Sequence, residues 1–186
     1  MTSPRAFQKE KEYTYADYIT WDDDVRYELI DGVAYAMAPP SEAHQTVLGE
    51  LFLQFATYLK GKKCKVLFAP FDVRLNAFKK DTDVFQPDLL VVCDRTKLDG
   101  KALLGAPDLA IEVLSPSTAQ HDKIKKFNKY LEAGVREYWI VDPVHKIVEV
   151  FILEEGRYTL KTYAETDVVT TVVLEDCKIN LTDVFS

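Results

Sequence analysis

The chain has 186 residues, and 47% of them are hydrophobic, which fits one domain with a substantial core and excludes a disordered chain. The net charge of −7 argues against a generic nucleic-acid coat protein, which would normally be basic, although a local basic patch can outweigh it near one cleft. No apolar run is long enough to span a bilayer, and residues 1–12 lack the apolar core of a signal peptide, so we expect one cytoplasmic domain over residues 1–186, loose at residues 1–12 and without a membrane partner.

The N-terminal half predicts a short helix, a hairpin and a long helix. Residues 13–21 can form the short helix, and residues 26–30 and 33–37 predict two strands joined by the turn pair Asp31-Gly32. Two prolines then break the chain. A helix follows from residue 41 or 42 to about residue 60, because apolar residues recur at helical spacing and Gly61 comes directly after it.

The second half predicts further strands and one more helix. The expected strands cover residues 64–68, 71–76, 88–93, 109–114 and 137–141, a hairpin of 147–153 and 158–163, and one or two short strands in the tail. Residues 89–93 and 109–114 are nearly continuous apolar runs, which suit central strands covered on both faces. The helix should run from about residue 120 to residue 133, where Gly134 ends it. The pattern predicts an α/β (α+β) fold with a mixed central sheet of about five strands, flanked by helices, and N-terminal and C-terminal β-hairpins.

Three cysteines bear on metal and redox chemistry. Cys64, Cys93 and Cys177 lie far apart in the sequence, with no CxxC pair and no Cys/His cluster. A zinc site is therefore not expected. An odd, scattered set of this kind predicts reduced thiols in a cytosol.

Two acidic residues stand out by their context. Asp88 opens an apolar strand directly after Pro87, and Glu112 lies inside the apolar run 109–114. A carboxylate in such a strand is costly to bury without a cation, which would be a metal, a lysine or an arginine. The alternative is that Glu112 makes an ordinary salt bridge or faces water, and that Asp88 is a common strand-edge aspartate.

The helix over residues 120–133 is basic. Helical projection predicts a core stripe of three apolar side chains: Ile124, Phe127 and Leu131. Most of its lysines should then form a solvated face. Lys123 and Lys126 flank the stripe, and either could reach back over the end of the Glu112 strand.

Several of these stretches, taken in order and spacing, resemble the Uma family of putative restriction endonucleases, a branch of the PD-(D/E)xK nuclease superfamily. The matching stretches are YELIDG at 27–32, the Pro-Pro-Ser before the helix that starts near His44, QPDL at 86–89, IEVLSPS at 111–117, and residues 122–130 followed by GVREYW at 134–139. The similarity runs from about residue 13 to residue 153. It implies a restriction-endonuclease-like fold.

The resemblance also implies a nuclease that uses Mg²⁺ (or Mn²⁺) to hydrolyse phosphodiester bonds in DNA. Asp88 and Glu112 would be catalytic residues and metal ligands, since Mg²⁺ is usually held by one or two carboxylates. A divalent cation acidifies a bound water and neutralises charge on the phosphate. Glu28 is a candidate third acid, and His44 a weaker accessory residue.

The lysine of the superfamily pattern stands two residues after the acid, and here that position holds Leu114. The resemblance places the catalytic lysine on the following helix, at Lys126, with Asp122 upstream and Tyr130 downstream at the family spacing; Tyr130 is a candidate accessory residue. Lys123 is the fallback, because projection turns it slightly closer to the core stripe. Such a lysine would orient the water or stabilise developing charge.

Two other functions compete with the nuclease. One is a catalytically inactive nucleic-acid-binding or interaction module on the same fold, and the other is a structural protein whose acids only pair with the basic helix. The pair Asp88 and Glu112 favours the enzyme, which alone needs a divalent-cation site there. The oligomeric state is open, and a homodimer is one expectation because two-strand cleavage by this fold often uses a dimer.

Overall fold

The computed structural model of this protein describes residues 11–115 and 121–186, with the side chains of residues 121–123 left aside. Its helices are α1 (Tyr15–Tyr18), α2 (Glu42–Leu59), α3 (His121–Ala133) and α4 (Leu181–Val184). Its strands are β1 (Tyr27–Ile30), β2 (Val33–Ala36), β3 (Lys65–Phe68), β4 (Asp72–Arg74), β5 (Val84–Phe85), β6 (Leu89–Val92), β7 (Ala102–Leu104), β8 (Leu109–Val113), β9 (Glu137–Asp142), β10 (Ile147–Glu154), β11 (Arg157–Ala164), β12 (Val168–Thr170) and β13 (Lys178–Asn180). The expected loose start lies mostly outside the described residues.

The main sheet has six strands in the order β11-β10-β9-β8-β6-β3, one more than the sequence predicts. Strands β8 and β9 are parallel, while the other neighbours are antiparallel, so the sheet is mixed as expected. The parallel pair is joined through α3, which is the crossover that parallel neighbours require. The fold class and both predicted hairpins, β1–β2 and β10–β11, are confirmed.

Helices α2 and α3 pack on opposite faces of this sheet. Ile111 and Trp139 point into the cluster that includes the buried side chains of α2. Ala110 and Tyr138 point the other way, into the cluster that includes Tyr130 of α3. The nearly continuous apolar runs therefore exist because both faces of β8 and β9 are covered. Burial of each large apolar side chain contributes roughly 1.5–3 kcal/mol.

A second sheet covers part of the α3 face. Its five strands run in the order β2-β1-β5-β4-β7, and Ile30 and Phe85 from this sheet pack with Ala110 and Tyr130. The sequence does not predict β5 or β7, because strands of two and three residues are too short for a periodic signal. This sheet holds β1, and with it Glu28, against α3.

The cysteines correct one prediction. Cys64 and Cys93 form a disulfide, and the expectation of reduced thiols is wrong for these two, while Cys177 is free and buried. The two residues are 29 apart in sequence. Antiparallel pairing of β3 and β6 sets Lys65 opposite Val92, and the next pair along is Cys64 and Cys93. Strand register, which the sequence did not specify, brings them together.

In the part of the chain that the structure describes, no helix has both the length and the apolar character needed to cross a membrane.

Candidate active site

A cavity of about 510 Å³ opens where the ends of β6 and β8 meet the start of α2 and the β1–β2 hairpin. The acidic and basic side chains that line it are Arg26, Glu28, His44, Asp88, Glu112 and Lys126. Five of these six are candidates named from the sequence. The structure thus brings residues from three strand regions and two helices into one pocket.

The register of β6 and β8 places the two principal carboxylates. Leu90 pairs with Ala110 in this antiparallel ladder, and extension of the ladder to the start of β6 sets Asp88 opposite Glu112. Side chains at directly opposed positions point to the same face, with Cβ atoms about 4.5–5.5 Å apart. Both side chains line the cavity. The expected separation of roughly 4–6 Å between the carboxylates stays a prediction.

The carboxylate of Asp88 is oriented through one of its oxygens. Oδ2 accepts a hydrogen bond from Val113 N at 2.8 Å and lies 3.2 Å from Nε2 of His44. The other oxygen, Oδ1, has no hydrogen-bond partner among the described residues, and it is the one left for a ligand. His44 is buried, and its Nδ1 also lacks a partner within the described chain, which fits a tautomer whose proton is on Nε2 and is donated to Asp88.

The carboxylate of Glu112 is also held through only one of its two oxygens by the described residues. Its Oε1 accepts hydrogen bonds from Lys126 Nζ at 3.1 Å and from Tyr130 OH at 2.8 Å. No described residue donates to its Oε2. The side chain is 12% exposed, so this second oxygen is fixed in place by the bonds that the first one makes.

Lys126 joins two carboxylates of the site. Its Nζ lies 2.9 Å from Glu28 Oε2 as well as 3.1 Å from Glu112 Oε1. Glu28 is anchored in turn, because its Oε1 accepts a hydrogen bond from Gln86 N at 2.8 Å. The lysine side chain is 8% exposed. It is therefore a buried ammonium with two acidic partners, one from each sheet.

Burial and neighbouring charges together shift the pKa values of both Glu112 and Lys126 upwards. Burial raises the pKa of Glu112 to about 8; the ammonium of Lys126 opposes this, and Asp88 and Glu28 add to it. Burial lowers the pKa of Lys126, but the carboxylates of Glu112 and Glu28 outweigh burial, and the net pKa is raised. The lysine is thus protonated at neutral pH, so it can donate hydrogen bonds and stabilise negative charge but cannot act as a base.

Tyr130 is the fourth group of this cluster. Burial raises the pKa of its hydroxyl well above the ordinary value, and the nearby charge of Glu112 adds to the effect. The hydroxyl therefore stays protonated and donates to Glu112. It fixes the acid that the sequence singled out.

The rotation of α3 differs from the predicted one. Ile124 is 69% exposed, whereas Lys126 is 6% exposed and Tyr130 is fully buried, so the expected stripe through Ile124 is wrong. The acids beneath the helix compensate the buried ammonium, and this reverses the preference that apolar periodicity would give. The side chains of Asp122 and Lys123 lie outside those described.

Two further lysines of α3, Lys125 and Lys129, are also held by partners and do not form a free solvated face. Lys125 Nζ donates to Tyr35 OH at 2.7 Å. Lys129 pairs with Asp31 and, at 3.2 Å, with Asp83. All three partners come from the second sheet or its turns, which sequence patterns did not place against this helix.

One charged residue of the cavity lining was not singled out from the sequence. Arg26 lies two residues before Glu28 and lines the same cavity. The signal that could have found it is the period of two in a strand, since residues 26 and 28 share a face. The backbone donors Val113 N and Gln86 N were likewise missed, because only tertiary contacts place them.

Comparison with known proteins identifies the family of this chain. The sequence model of the Uma2 family, described as putative restriction endonuclease, matches residues 15–182. The chain belongs to this family, and the predicted resemblance is confirmed.

Two relatives extend the comparison. An uncharacterized protein of Synechocystis sp. is 26% identical over 155 residues, which cover 81% of this chain and 80% of that protein. The crystal structure of a putative nuclease belonging to DUF820, from Anabaena variabilis, superposes with a TM-score of 0.75 at 18% identity, covering 92% of this chain and 97% of that one. The second match shows that the two chains share a fold.

Proposed function

We propose that this protein is a divalent-cation-dependent endonuclease that hydrolyses phosphodiester bonds in DNA. The observation that carries the proposal is that Glu28 and Glu112 pair with one buried ammonium, Lys126, in a cavity that Asp88 also lines. Membership of the Uma2 family supports the same reaction class. Three acids beside one lysine would favour binding of a further cation, and a nuclease of this kind uses one.

The donor set suits Mg²⁺ or Mn²⁺. Among residues 11–115 and 121–186, no group of three or more His, Cys, Asp or Glu side chains forms a ready-made metal cage. Mg²⁺ does not need one, because it is usually held by one or two carboxylates and keeps several waters or binds substrate phosphate. Asp88 Oδ1 and Glu112 Oε2 are hard oxygen donors that no described residue occupies, and they would hold the ion.

The residues around these oxygens have separate tasks in this proposal. Bound Mg²⁺ supplies an acidified water and neutralises charge on the phosphate. His44 and Val113 N keep Asp88 oriented, and Tyr130 does the same for Glu112. Lys126 donates to the phosphate oxygen on which negative charge develops, because it remains protonated at neutral pH.

Glu28 is assigned to hold Lys126 and not the metal. Its two oxygens are both taken, one by Lys126 Nζ and the other by Gln86 N. With a metal bound at Glu112 Oε2, Glu28 would still hold the ammonium of Lys126 beside Glu112. In this proposal Lys126 takes the role of the superfamily lysine, whose strand position here holds Leu114. The site would then be a PD-(D/E)xK pattern with a displaced lysine.

The test combines cleavage with direct metal binding. Plasmid and linear duplex DNA are incubated with the protein in Mg²⁺, in Mn²⁺ and in EDTA, and Mn²⁺ affinity is measured by calorimetry. We expect cleavage only with a divalent ion, and loss of both cleavage and Mn²⁺ binding in Asp88→Asn and Glu112→Gln. Glu165→Gln is the matched control, since that glutamate is exposed and pairs with Lys146 away from the cavity.

The outcomes separate the candidate functions. If the wild-type protein binds DNA but does not bind Mn²⁺ and does not cleave the DNA, it is the non-catalytic binding module that the sequence left as the alternative. If the protein binds neither metal nor DNA, it is the structural protein whose acids only pair with the basic helix. The homodimer expectation stays a prediction, and sedimentation of the cleavage-competent protein tests it.

A further inference from the structure

Arg26 is a cation that lines the acidic cavity and forms no ion pair with the described residues. Its guanidinium forms no salt bridge, cation–π contact or side-chain hydrogen bond with any described residue, although Glu28, Asp88 and Glu112 line the same cavity. Lys126, the other Lys or Arg side chain in the described lining, has two acidic partners. An arginine has five N–H donors, so the Arg26 side chain offers donors that none of residues 11–115 and 124–186 uses.

The geometry of the β1–β2 hairpin directs this side chain. Met37 N donates to Arg26 O at 2.9 Å, which continues the β1–β2 ladder by one residue beyond the pair Tyr27 and Ala36. Arg26 and Glu28 therefore share a face of the hairpin. Two residues of strand correspond to about 6–7 Å, so Arg26 stands roughly that far from Glu28 along β1.

Going back along the chain from Glu28 to Arg26 leads from the interior of the cavity to its rim. Glu28 is 5% exposed and lies against Lys126. Arg26 is half-buried, and its neighbours in the lining, Met37 to Pro40, belong to the loop that follows β2. A polyanion that placed one phosphate over the Asp88 and Glu112 carboxylates would pass Arg26 as it left the cavity.

We propose that Arg26 binds the DNA phosphate next to the one that is cleaved, through two parallel N–H···O contacts. The planar fork of a guanidinium matches two oxygens of a phosphate, which an ammonium cannot do. Arg26 thereby sets the register of the strand against Lys126 and the metal ligands. This inference rests on the proposed nuclease function, because its ligand is the substrate of that reaction.

The test measures DNA binding apart from cleavage. Fluorescence anisotropy of a short labelled duplex is recorded in EDTA at several salt concentrations, with Glu112→Gln as the common background for every variant. Adding Arg26→Ala should weaken binding about tenfold or more, on the scale of one charge-assisted contact. It should also reduce the slope of log K against log salt by about one, as expected for the loss of one phosphate contact.

Two further variants make the result specific. Arg26→Lys should keep the salt slope but recover only part of the affinity, because the charge remains and the fork is lost. Arg157→Ala removes an exposed arginine at the start of β11, the far edge strand of the main sheet, and should change neither quantity. Equal binding by the Arg26→Ala and background proteins overturns the inference, and so does an absence of DNA binding in the background protein.

Failure of the proposed function looks different. If the wild type cleaves no DNA with Mg²⁺ or Mn²⁺ while Arg26→Ala still lowers affinity and salt slope, then Arg26 is a phosphate contact on a binding module. If the wild type cleaves and Arg26→Ala binds and cleaves normally, the nuclease stands and the role of Arg26 is wrong.

Discussion

Lys126 Nζ lies 3.1 Å from Glu112 Oε1 and reaches it from α3, fourteen residues further along the chain. The strand position two residues after Glu112 is occupied by Leu114, which carries no charge. Because α3 packs over the β8 strand on the face that bears Glu112, a helical lysine can take the place that a strand lysine has in the superfamily pattern.

Removal of the ammonium should abolish most of the activity. We expect Lys126→Ala to lower Mg²⁺-dependent DNA cleavage by about two orders of magnitude or more, the scale of losing one charge-stabilising donor. Lys123→Ala should do far less. Single-turnover cleavage rates of the two variants decide between them: an inactive Lys123→Ala would move the assignment to Lys123. If neither variant matters while Glu112→Ala is inactive, the role given to a lysine is wrong.

The same lysine should matter for stability. Lys126→Met leaves Glu28 and Glu112 buried without their cation, which typically costs about 3–5 kcal/mol in the free energy of unfolding. Protonation of the carboxylates relieves this cost. The folded state of the variant therefore binds protons more tightly than its unfolded state does, and its deficit should shrink as pH falls.

Urea denaturation at pH 5 and pH 8 measures this effect. Lys146→Met serves as the control, because Lys146 makes an exposed pair with Glu165, and such pairs are worth about 0–1 kcal/mol. A loss in Lys126→Met as small as that of the control, at both pH values, would mean that the buried pair is not important for the fold.

Metal binding should release a proton from Glu112. With its pKa raised to about 8, the metal-free carboxyl is largely protonated at pH 7, whereas a metal ligand must be deprotonated. Mn²⁺ affinity should therefore rise with pH through about 8 and level off above it. Calorimetry at pH 7 in buffers of different ionisation enthalpy should show close to one proton released per Mn²⁺ bound. A binding enthalpy that is the same in all buffers would contradict this.

Loss of the Tyr130 hydroxyl should shift the pH dependence. The hydrogen bond from Tyr130 lowers the pKa of Glu112, so Tyr130→Phe should raise that pKa further and move the pH profile of cleavage and Mn²⁺ binding to higher pH. The free energy of unfolding should fall by about 1 kcal/mol, the usual net worth of a hydrogen bond.

Tyr158→Phe is the matched control for that variant. Its hydroxyl donates to Val135 O at 2.8 Å and makes no contact with Glu112. We expect a similar loss of stability and an unchanged pH profile. An equal pH shift in both variants would show that the effect of Tyr130 is not specific to its hydrogen bond.

The disulfide can be counted directly. Thiol titration of the denatured, unreduced protein should find one thiol, from Cys177, and the reduced protein should give three. Replacing Cys64 and Cys93 by serine should lower the free energy of unfolding by about 2–4 kcal/mol, because the cross-link restricts the unfolded chain. Three thiols before reduction would mean that all three cysteines are reduced, as the sequence predicts.

Local patterns were sufficient for the central elements. The apolar runs around β6 and β8 have clear ends, and they predict strands that are buried on both faces. In such strands the carboxylates of Asp88 and Glu112 stand out in the sequence. The motif order pointed to the family, which the comparison confirms. These features could be predicted because each depends on residues that are neighbours in the chain.

Tertiary structure decided the rest. Whether Lys126 or Ile124 is buried depends on how α3 is rotated against the acids beneath it, and apolar periodicity alone favoured the wrong face. The contact of Glu28 with Lys126 requires a second sheet whose strands β5 and β7 are too short to leave a pattern. Cys64 meets Cys93 only through the register of β3 and β6. Each of these depends on groups far apart in sequence, whose electrostatic and packing energies appear only once the chain has folded.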